Sequence, residues 1–403
     1  MNRLKSLFRP RRGAESMFRY ISAMLHLWLG LLSSGVILVV CLTGSIYAFK
    51  TPVASWMNRR VANVSSSAMS PLTPGHIVEG IQGNGGVVHA ITLPDDDTKS
   101  WIISYADGLT QSARTVYVDP YTGIELGEGS DASASFFSVV LSLHKTLLMN
   151  RVGKQVVGAS VLVFVAMLLT GLVLWWPRNK KALRDGLSIK WRYPWLRVVR
   201  DLHNTLGFYS LVLLLFIALT GLYVAYPWVK NGIIVMLGGQ SVTSVSVHAS
   251  DASEPSGDFA GLLQQMLDKQ AEQTSMGNAA PIGIDSVLWL ARQQLGYSGH
   301  TVVRFPDEHD PRYTITCIND HNWLGVRMPD VLSLDKRGDV KSLDRFADKP
   351  LHKQFMALSL PLHTGEFMGL PGIILYALAS LIGCSLPVTG FLLWWKKARI
   401  SGR

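Results

Sequence analysis

Apolar residues along this chain fall into four long blocks, Ile21 to Phe49, Val156 to Trp176, Leu196 to Trp228 and Leu370 to Trp395, separated by polar stretches. Each block reaches or exceeds the roughly 20 residues that an α-helix needs to cross about 30 Å of hydrocarbon. The pattern predicts four spanning helices: residues 21–49, a helix closing 136–176 after an interfacial lead, residues 196–228, and a helix closing 352–395 after a second lead. Two polar segments, 50–135 and 229–351, alternate instead. Trp101-Ile-Ile-Ser-Tyr105 and Tyr313-Thr-Ile-Thr-Cys317 have strand periodicity. Thr115-Val-Tyr-Val-Asp119 followed by Pro-Tyr-Thr-Gly123 predicts strand and turn, with a looser counterpart in Val331 to Asp335 and Lys336-Arg337-Gly338. Asp258 to Gln273 and Gly283 to Gln294 are amphipathic at helical spacing. The expected fold is an α-helical membrane bundle carrying two small α+β domains, with polar tails or loops at 1–20, 177–195 and 396–403.

The two halves repeat. Leu25-His26, Leu29-Gly30, Ser33 and Thr43-Gly44 align without a gap on Leu202-His203, Leu206-Gly207, Ser210 and Thr220-Gly221. Leu143-His144, Met149, Gly153, Thr170-Gly171 and Trp175-Trp176 align on Leu362-His363, Met368, Gly372, Thr389-Gly390 and Trp394-Trp395. So many identities in one frame predict a tandem duplication with parallel repeats, which places equivalent residues at equal depth.

Composition fits a membrane protein, with 48% hydrophobic and only 16% charged residues. Of the 38 Lys and Arg, 18 lie in the three segments that flank the helices on one side, with three acids; that side carries +15 and the rest of the chain −5. Lys and Arg are retained in the cytoplasm, so both termini are expected inside and the two polar segments outside. The net +10 follows from this topology, and no nucleic-acid partner is expected; the partner on every span is membrane lipid. The first apolar block is too long for a cleaved leader. Cys41 and Cys384 lie in spans and only Cys317 outside, so no disulfide framework is expected, and the absence of C-x-x-C-H excludes covalent haem attachment.

A histidine in an apolar span is costly and marks a functional site. Depth pairs His26 with His203 in the inner leaflet. His144 and His363 each precede Trp-Trp by 31 residues, roughly 46 Å if helical throughout, which puts them at the outer interface. Two facing imidazoles suit the axial positions of a haem iron, so the expectation is two non-covalent haem b groups, one on each pair. Gly30 and Gly207, one turn after their histidines, would give the macrocycle room. Arg200, Lys145 and Arg151 are candidate propionate contacts, Arg200 being equally explained by the inside charge bias. His352 is a candidate alternative ligand to His363. Zinc or copper is the other option, for which Glu366 is the nearest acid. Thr-Gly is assigned to helix packing and Trp-Trp to the interfacial belt.

The four Leu-His segments, the Thr-Gly and Trp-Trp endings and the turn Val118-Asp119-Pro120-Tyr121-Thr122-Gly123 resemble the PepSY-associated transmembrane family over nearly the whole chain, and within it the inner-membrane ferric-siderophore reductases. The resemblance implies a bacterial inner-membrane protein with PepSY-like periplasmic domains that reduces Fe(III) in a ferric siderophore to Fe(II), with the family's motif histidines on His26, His144, His203 and His363. The chemistry is coherent, because Fe(II) binds hard oxygen donors less tightly than Fe(III) does. No G-x-G-x-x-G segment is present, so the electron donor is a quinol or a cytoplasmic reductase. Two further readings stay open: a haem conduit to another periplasmic acceptor, and a non-enzymatic regulator acting through its PepSY domains. A transporter ranks last, since four spans without a broken helix pair or buried acid offer little pathway.

Overall fold

The computed structural model describes residues 15–65, 70–108, 112–130, 132–177, 179–240, 281–307, 310–319 and 328–401. The expected helix Asp258 to Gln273 and most of the basic N-terminal tail lie outside the described residues. In chain order the elements are α1 (Met17–Tyr47), α2 (Lys50–Met57), α3 (Arg59–Ala62), α4 (Pro74–Gly83), β1 (Val87–Leu93), β2 (Trp101–Ala106), β3 (Ala113–Val118) and β4 (Glu125–Glu128). They continue with α5 (Ala134–Thr146), α6 (Asn150–Trp175), α7 (Lys180–Gly186), α8 (Trp195–Ala225), α9 (Pro227–Met236) and α10 (Ile284–Leu295). The rest are β5 (His300–Arg304), β6 (Tyr313–Asn319), β7 (Met328–Leu334), β8 (Val340–Asp344), α11 (Leu351–Thr364) and α12 (Gly369–Ser401).

The chain divides into two compact units. The first, Met1–Pro52, Ala132–Ile233 and Ser359–Arg403, is helical. Among the described residues four stretches are long and apolar enough to cross a membrane: Met17–Met57, Asn150–Trp175, Trp195–Ala225 and Glu366–Lys396. Helices α1, α6, α8 and α12 close into a ring, α1 and α8 each packing on both α6 and α12. The middle of the bundle is apolar, filled by Ile37, Phe164, Leu168, Leu214, Ala218 and Ala379. Unsatisfied backbone groups are not tolerated in hydrocarbon, and uninterrupted helices are how these sequences meet that demand.

The path from each second histidine to its Trp-Trp, roughly 46 Å if helical throughout, is broken by a reversal between the interfacial lead and the span. Between α5 and α6 the chain turns back through Leu147 (φ 51°), Leu148 (φ 61°) and Asn150 (φ 49°), left-handed conformations that cost bulky residues about 1–3 kcal/mol each. The turn closes with Leu147 N–H donating to Leu143 O at 3.1 Å and Met149 N–H to Thr146 O at 2.8 Å. Gly153 permits the close approach, since a Cβ there would lie 1.6 Å from Thr146 O. The second half achieves the same reversal with Gly365 (φ 83°), a 3₁₀ turn Glu366–Met368 and Gly369 (φ 64°). A Cβ on Gly372 would come 2.2 Å from Gly365 O. The repeated Met149/Gly153 and Met368/Gly372 positions are therefore turn residues, and α5 packs alongside α1 and α6.

The second unit, Val53–Asp131 and Ile234–Leu358, was expected as two α+β domains; it is one antiparallel sheet of eight strands in the order β4-β3-β2-β1-β5-β6-β7-β8. Each half contributes a helix and a four-stranded meander. The halves fuse where β1 pairs antiparallel with β5, Ala90 opposite Arg304 and Ile91 opposite Val303. Small four-stranded sheets bury little apolar area alone, and pairing these edges also removes two exposed ladders. Helices α4 and α10 pack on one face, over Ile91, Ile103, Val116, Val303, Ile315 and Leu332, all at most 1% exposed. Gly75 N–H donates to Asp285 at 2.9 Å and ties the two helices.

The turn after β7 proves equivalent to the turn after β3. Asp119 Oδ1 accepts Tyr121 N–H at 2.8 Å, with Gly123 at φ 73°. Asp335 Oδ1 accepts both Arg337 N–H and Asp339 N–H at 2.9 Å, with Gly338 at φ 92°. Both are Asx turns that need a left-handed glycine, which the differing intervening residues concealed.

Candidate functional site

The helical unit brings the four histidines together as two pairs. The rings of His26 (α1) and His203 (α8) have centroids 6.3 Å apart and planes at 88°. The rings of His144 (α5) and His363 (α11) are 6.2 Å apart and tilted by 46°.

Every ring is seated in the same way. His26 Nδ1 lies 3.0 Å from Met167 O and 3.2 Å from Thr170 Oγ1. His144 Nδ1 lies 2.9 Å from Val40 O and 3.4 Å from Thr43 Oγ1. His363 Nδ1 lies 3.1 Å from Ile217 O and 3.2 Å from Thr220 Oγ1. His203 Nδ1 lies 2.8 Å from Thr389 Oγ1, with Leu386 as its main-chain partner. The threonines already donate to their own helices, for example Thr170 to Ala166 O at 2.8 Å and Thr220 to Phe216 O at 2.9 Å. A carbonyl can only accept, so Nδ1 carries the proton in each ring and Nε2 keeps its lone pair.

The glycine after each threonine supplies the floor. A Cβ would lie 3.1 Å from His26 Cε1 at Gly171, 3.0 Å from His144 Cε1 at Gly44, 2.9 Å from His363 Cε1 at Gly221 and 3.5 Å from His203 Cε1 at Gly390. Thr-Gly, assigned from sequence to helix packing, is corrected to an imidazole seat: one residue orients the ring and the next lets it lie against bare backbone. Sequence reasoning missed this because seat and ring are on different helices. The usable clue was the common offset of 18 residues from His26 to Gly44 and from His203 to Gly221. That offset also separates the pairs by about 27 Å along α1 and along α8.

The other predicted residues are placed as follows. Gly30 and Ser33 border the cavity between His26 and His203 with Phe164 and Met167, and the Gly30 position is covered by Met167 Cε, 3.1 Å from where a Cβ would be. Gly207 faces Leu386 Cδ2 at 3.7 Å. Arg200, Lys145 and Arg151 are all exposed, Lys145 adjacent in sequence to His144. His352 belongs to the second unit and packs by Gly239; the ring paired with His144 is that of His363. Glu366 accepts a hydrogen bond from Thr51 at 2.9 Å.

The donor set can be tested against the two candidate groups. Among the described residues no cluster of three or more His, Cys, Asp or Glu is close enough to hold a metal ion, and each pair offers two imidazoles. A metal held between two imidazoles at about 2.0 Å from each nitrogen puts the ring centres about 6.4 Å apart, once about 1.2 Å from nitrogen to centre is added on each side. Both pairs meet that spacing, each with its outer-nitrogen proton fixed by a carbonyl or hydroxyl as metal-ligating histidines require. The residues fit a bis-imidazole haem.

No curated protein matches this chain. Residues 23–397 match the family described as the PepSY-associated TM region, a match that runs through both histidine pairs and the sheet unit. The chain is a membrane protein of the PepSY-associated transmembrane family.

Proposed function

We propose that this protein is a di-haem ferric reductase of the bacterial inner membrane, passing electrons across the bilayer to Fe(III) held by a siderophore in the periplasm. The reading is carried by one observation: two histidine pairs with ring centres at 6.3 and 6.2 Å, each ring seated through its Nδ1 on a main-chain carbonyl or a threonine hydroxyl. Haem bound there would supply one-electron transfer, the step that loosens a siderophore's hold on iron. The chain's own contribution is to fix four imidazoles with Thr-Gly seats, exclude water through the aliphatic middle of the bundle, and hold the two pairs at different depths. The repeated seats and repeated turns support descent by tandem duplication. The charge bias of the flanking segments supports termini in the cytoplasm and the sheet unit in the periplasm. The electron donor is a quinol or a cytoplasmic reductase.

The test is the absorbance spectrum of detergent-purified protein. Two b-type haems per chain are expected, His26→Ala and His203→Ala removing one and His144→Ala and His363→Ala the other. The reduced protein should be reoxidised by ferric siderophores faster than by iron-free acceptors. Colourless protein would sink the reading in favour of a PepSY-domain regulator; equal rates with every acceptor would favour a general electron conduit.

A further inference from the structure

Residues 176–194, which join α6 to α8 and carry α7, fold back along the bundle. At the end of α7, Gly186 O accepts from Trp175 Nε1 at 3.3 Å and from Thr205 Oγ1 at 3.1 Å, and Leu187 O accepts from the Tyr209 hydroxyl at 3.2 Å. Thr205 lies ten residues past Trp195, the first residue of α8, which is about 15 Å along the helix. Trp175 stacks on Phe208 at 3.7 Å with planes 10° apart and closes the same seam. The loop is thus pinned beside a span, level with His203, at the boundary between lipid headgroups and hydrocarbon.

Two kinds of side chain cover it. Trp191, Tyr193 and Trp195 are each more than half exposed, rings whose favoured place is the membrane interface. Lys180, Lys181 and Arg184 fall within about 100° of arc on α7, at about 100° per residue. With Arg192 and Arg200 they are exposed and make no ion pair among the described residues. The acids of this side are engaged. Asp185 pairs with Lys190 at 2.6 Å, Asp201 is buried against Arg197 at 3.2 Å, and Glu15, ahead of α1, is buried with a partner of its own. The loop therefore offers unopposed positive charge beside apolar rings. That combination complements a ligand whose anionic group and apolar tail meet at the same depth. A water-soluble acidic protein answers the charge, but neither the exposed rings nor the position along α8.

We infer that this loop is a docking site for anionic phospholipid, with Lys180, Lys181 and Arg184 as the charged contacts and the exposed rings beside the acyl chains. The inference needs a spanning α8 and no haem, so it goes beyond the reductase reading and fails separately from it. Native mass spectrometry of the full-length protein in detergent, titrated with phosphatidylglycerol and separately with phosphatidylcholine of the same acyl chains, counts bound lipid directly. Phosphatidylglycerol should be retained in preference, and less of it as ammonium acetate is raised. Lys180→Gln/Lys181→Gln/Arg184→Gln should weaken phosphatidylglycerol binding by about tenfold or more and leave phosphatidylcholine unchanged, whereas Lys180→Arg/Lys181→Arg/Arg184→Lys, which keeps the charge, retains most of it. All three positions are exposed, so both variants should elute as the unaltered protein does. No preference for phosphatidylglycerol, or the same affinity in the glutamine variant, overturns the inference. Tighter binding of poly-glutamate than of phosphatidylglycerol overturns it in favour of an acidic protein, and glycerol phosphate bound as tightly as the lipid overturns it in favour of a free anion.

Discussion

Replacing Gly221 by alanine puts one methyl group where the His363 ring lies. The new Cβ would be 2.9 Å from Cε1, about 0.6 Å inside the closest ordinary carbon–carbon contact of about 3.5 Å. The ring has little freedom to move away, because its Nδ1 is held by Ile217 O at 3.1 Å and Thr220 Oγ1 at 3.2 Å on the same turn as the glycine. Overpacking of this kind costs about 1–3 kcal/mol, which corresponds to roughly 5- to 150-fold in the affinity of whatever the imidazole ligates. The four seats form a graded series: 2.9 Å at Gly221, 3.0 Å at Gly44, 3.1 Å at Gly171 and 3.5 Å at Gly390. Haem retention after detergent purification, read as the ratio of Soret to protein absorbance, should fall most for Gly221→Ala and Gly44→Ala and least for Gly390→Ala. Gly35→Ala, whose Cβ would meet nothing within 4 Å, is the control and should load normally. Equal losses at Gly221 and Gly390, or no loss at either, would refute the seat.

Gly153→Ala and Gly372→Ala would drive a Cβ into a backbone carbonyl at 1.6 and 2.2 Å, so both should abolish accumulation of folded protein, measured by size-exclusion chromatography in detergent. Gly158→Ala would displace the Tyr226 hydroxyl, 1.8 Å from the new Cβ, from its bond to Lys154 O, and should lower the thermal midpoint without removing haem. Burial alone would raise the Asp335 carboxyl, but the N–H groups of Asp339 and Arg337 together with Lys341 outweigh it and hold it below the ordinary aspartate range. Its contribution to stability is therefore full above about pH 4 and lost as pH falls through the lowered folded value. Melting curves of the full chain from pH 6 to 3 should show a destabilisation that Asp335→Asn reduces; an unchanged pH profile in the variant would remove Asp335 from the account.

Four spans, four histidines and their pairing were legible because each leaves a mark in a single stretch of chain: an apolar run, a Leu-His, a repeated frame. The reversal at Leu147–Met149 was not, since Leu147 and Leu148 adopt left-handed backbone inside an apolar sequence; its counterpart carries Gly365 and Gly369, turn signals that could have announced it. The Thr-Gly seats were visible as repeats and misassigned in role, because what they touch is set by the packing of α1 on α5, α6 on α1, α8 on α11 and α12 on α8. Fusion of the two polar segments into one sheet was hidden for a related reason. Ala90 and Arg304 pair across more than 200 residues, and neither strand carries a local sign of its partner.

That seam has a consequence for biosynthesis. β1 leaves the ribosome more than 200 residues before β5, an interval on the order of 10–40 s at about 5–20 residues per second. During it the finished first meander presents β1 as a bare edge, with the ladder from Ala90 to Leu93 unpaired, while two further spans are inserted. An edge of this kind invites pairing with a neighbouring nascent chain. A chain truncated after α8 should therefore aggregate through β1 instead of folding as an independent half.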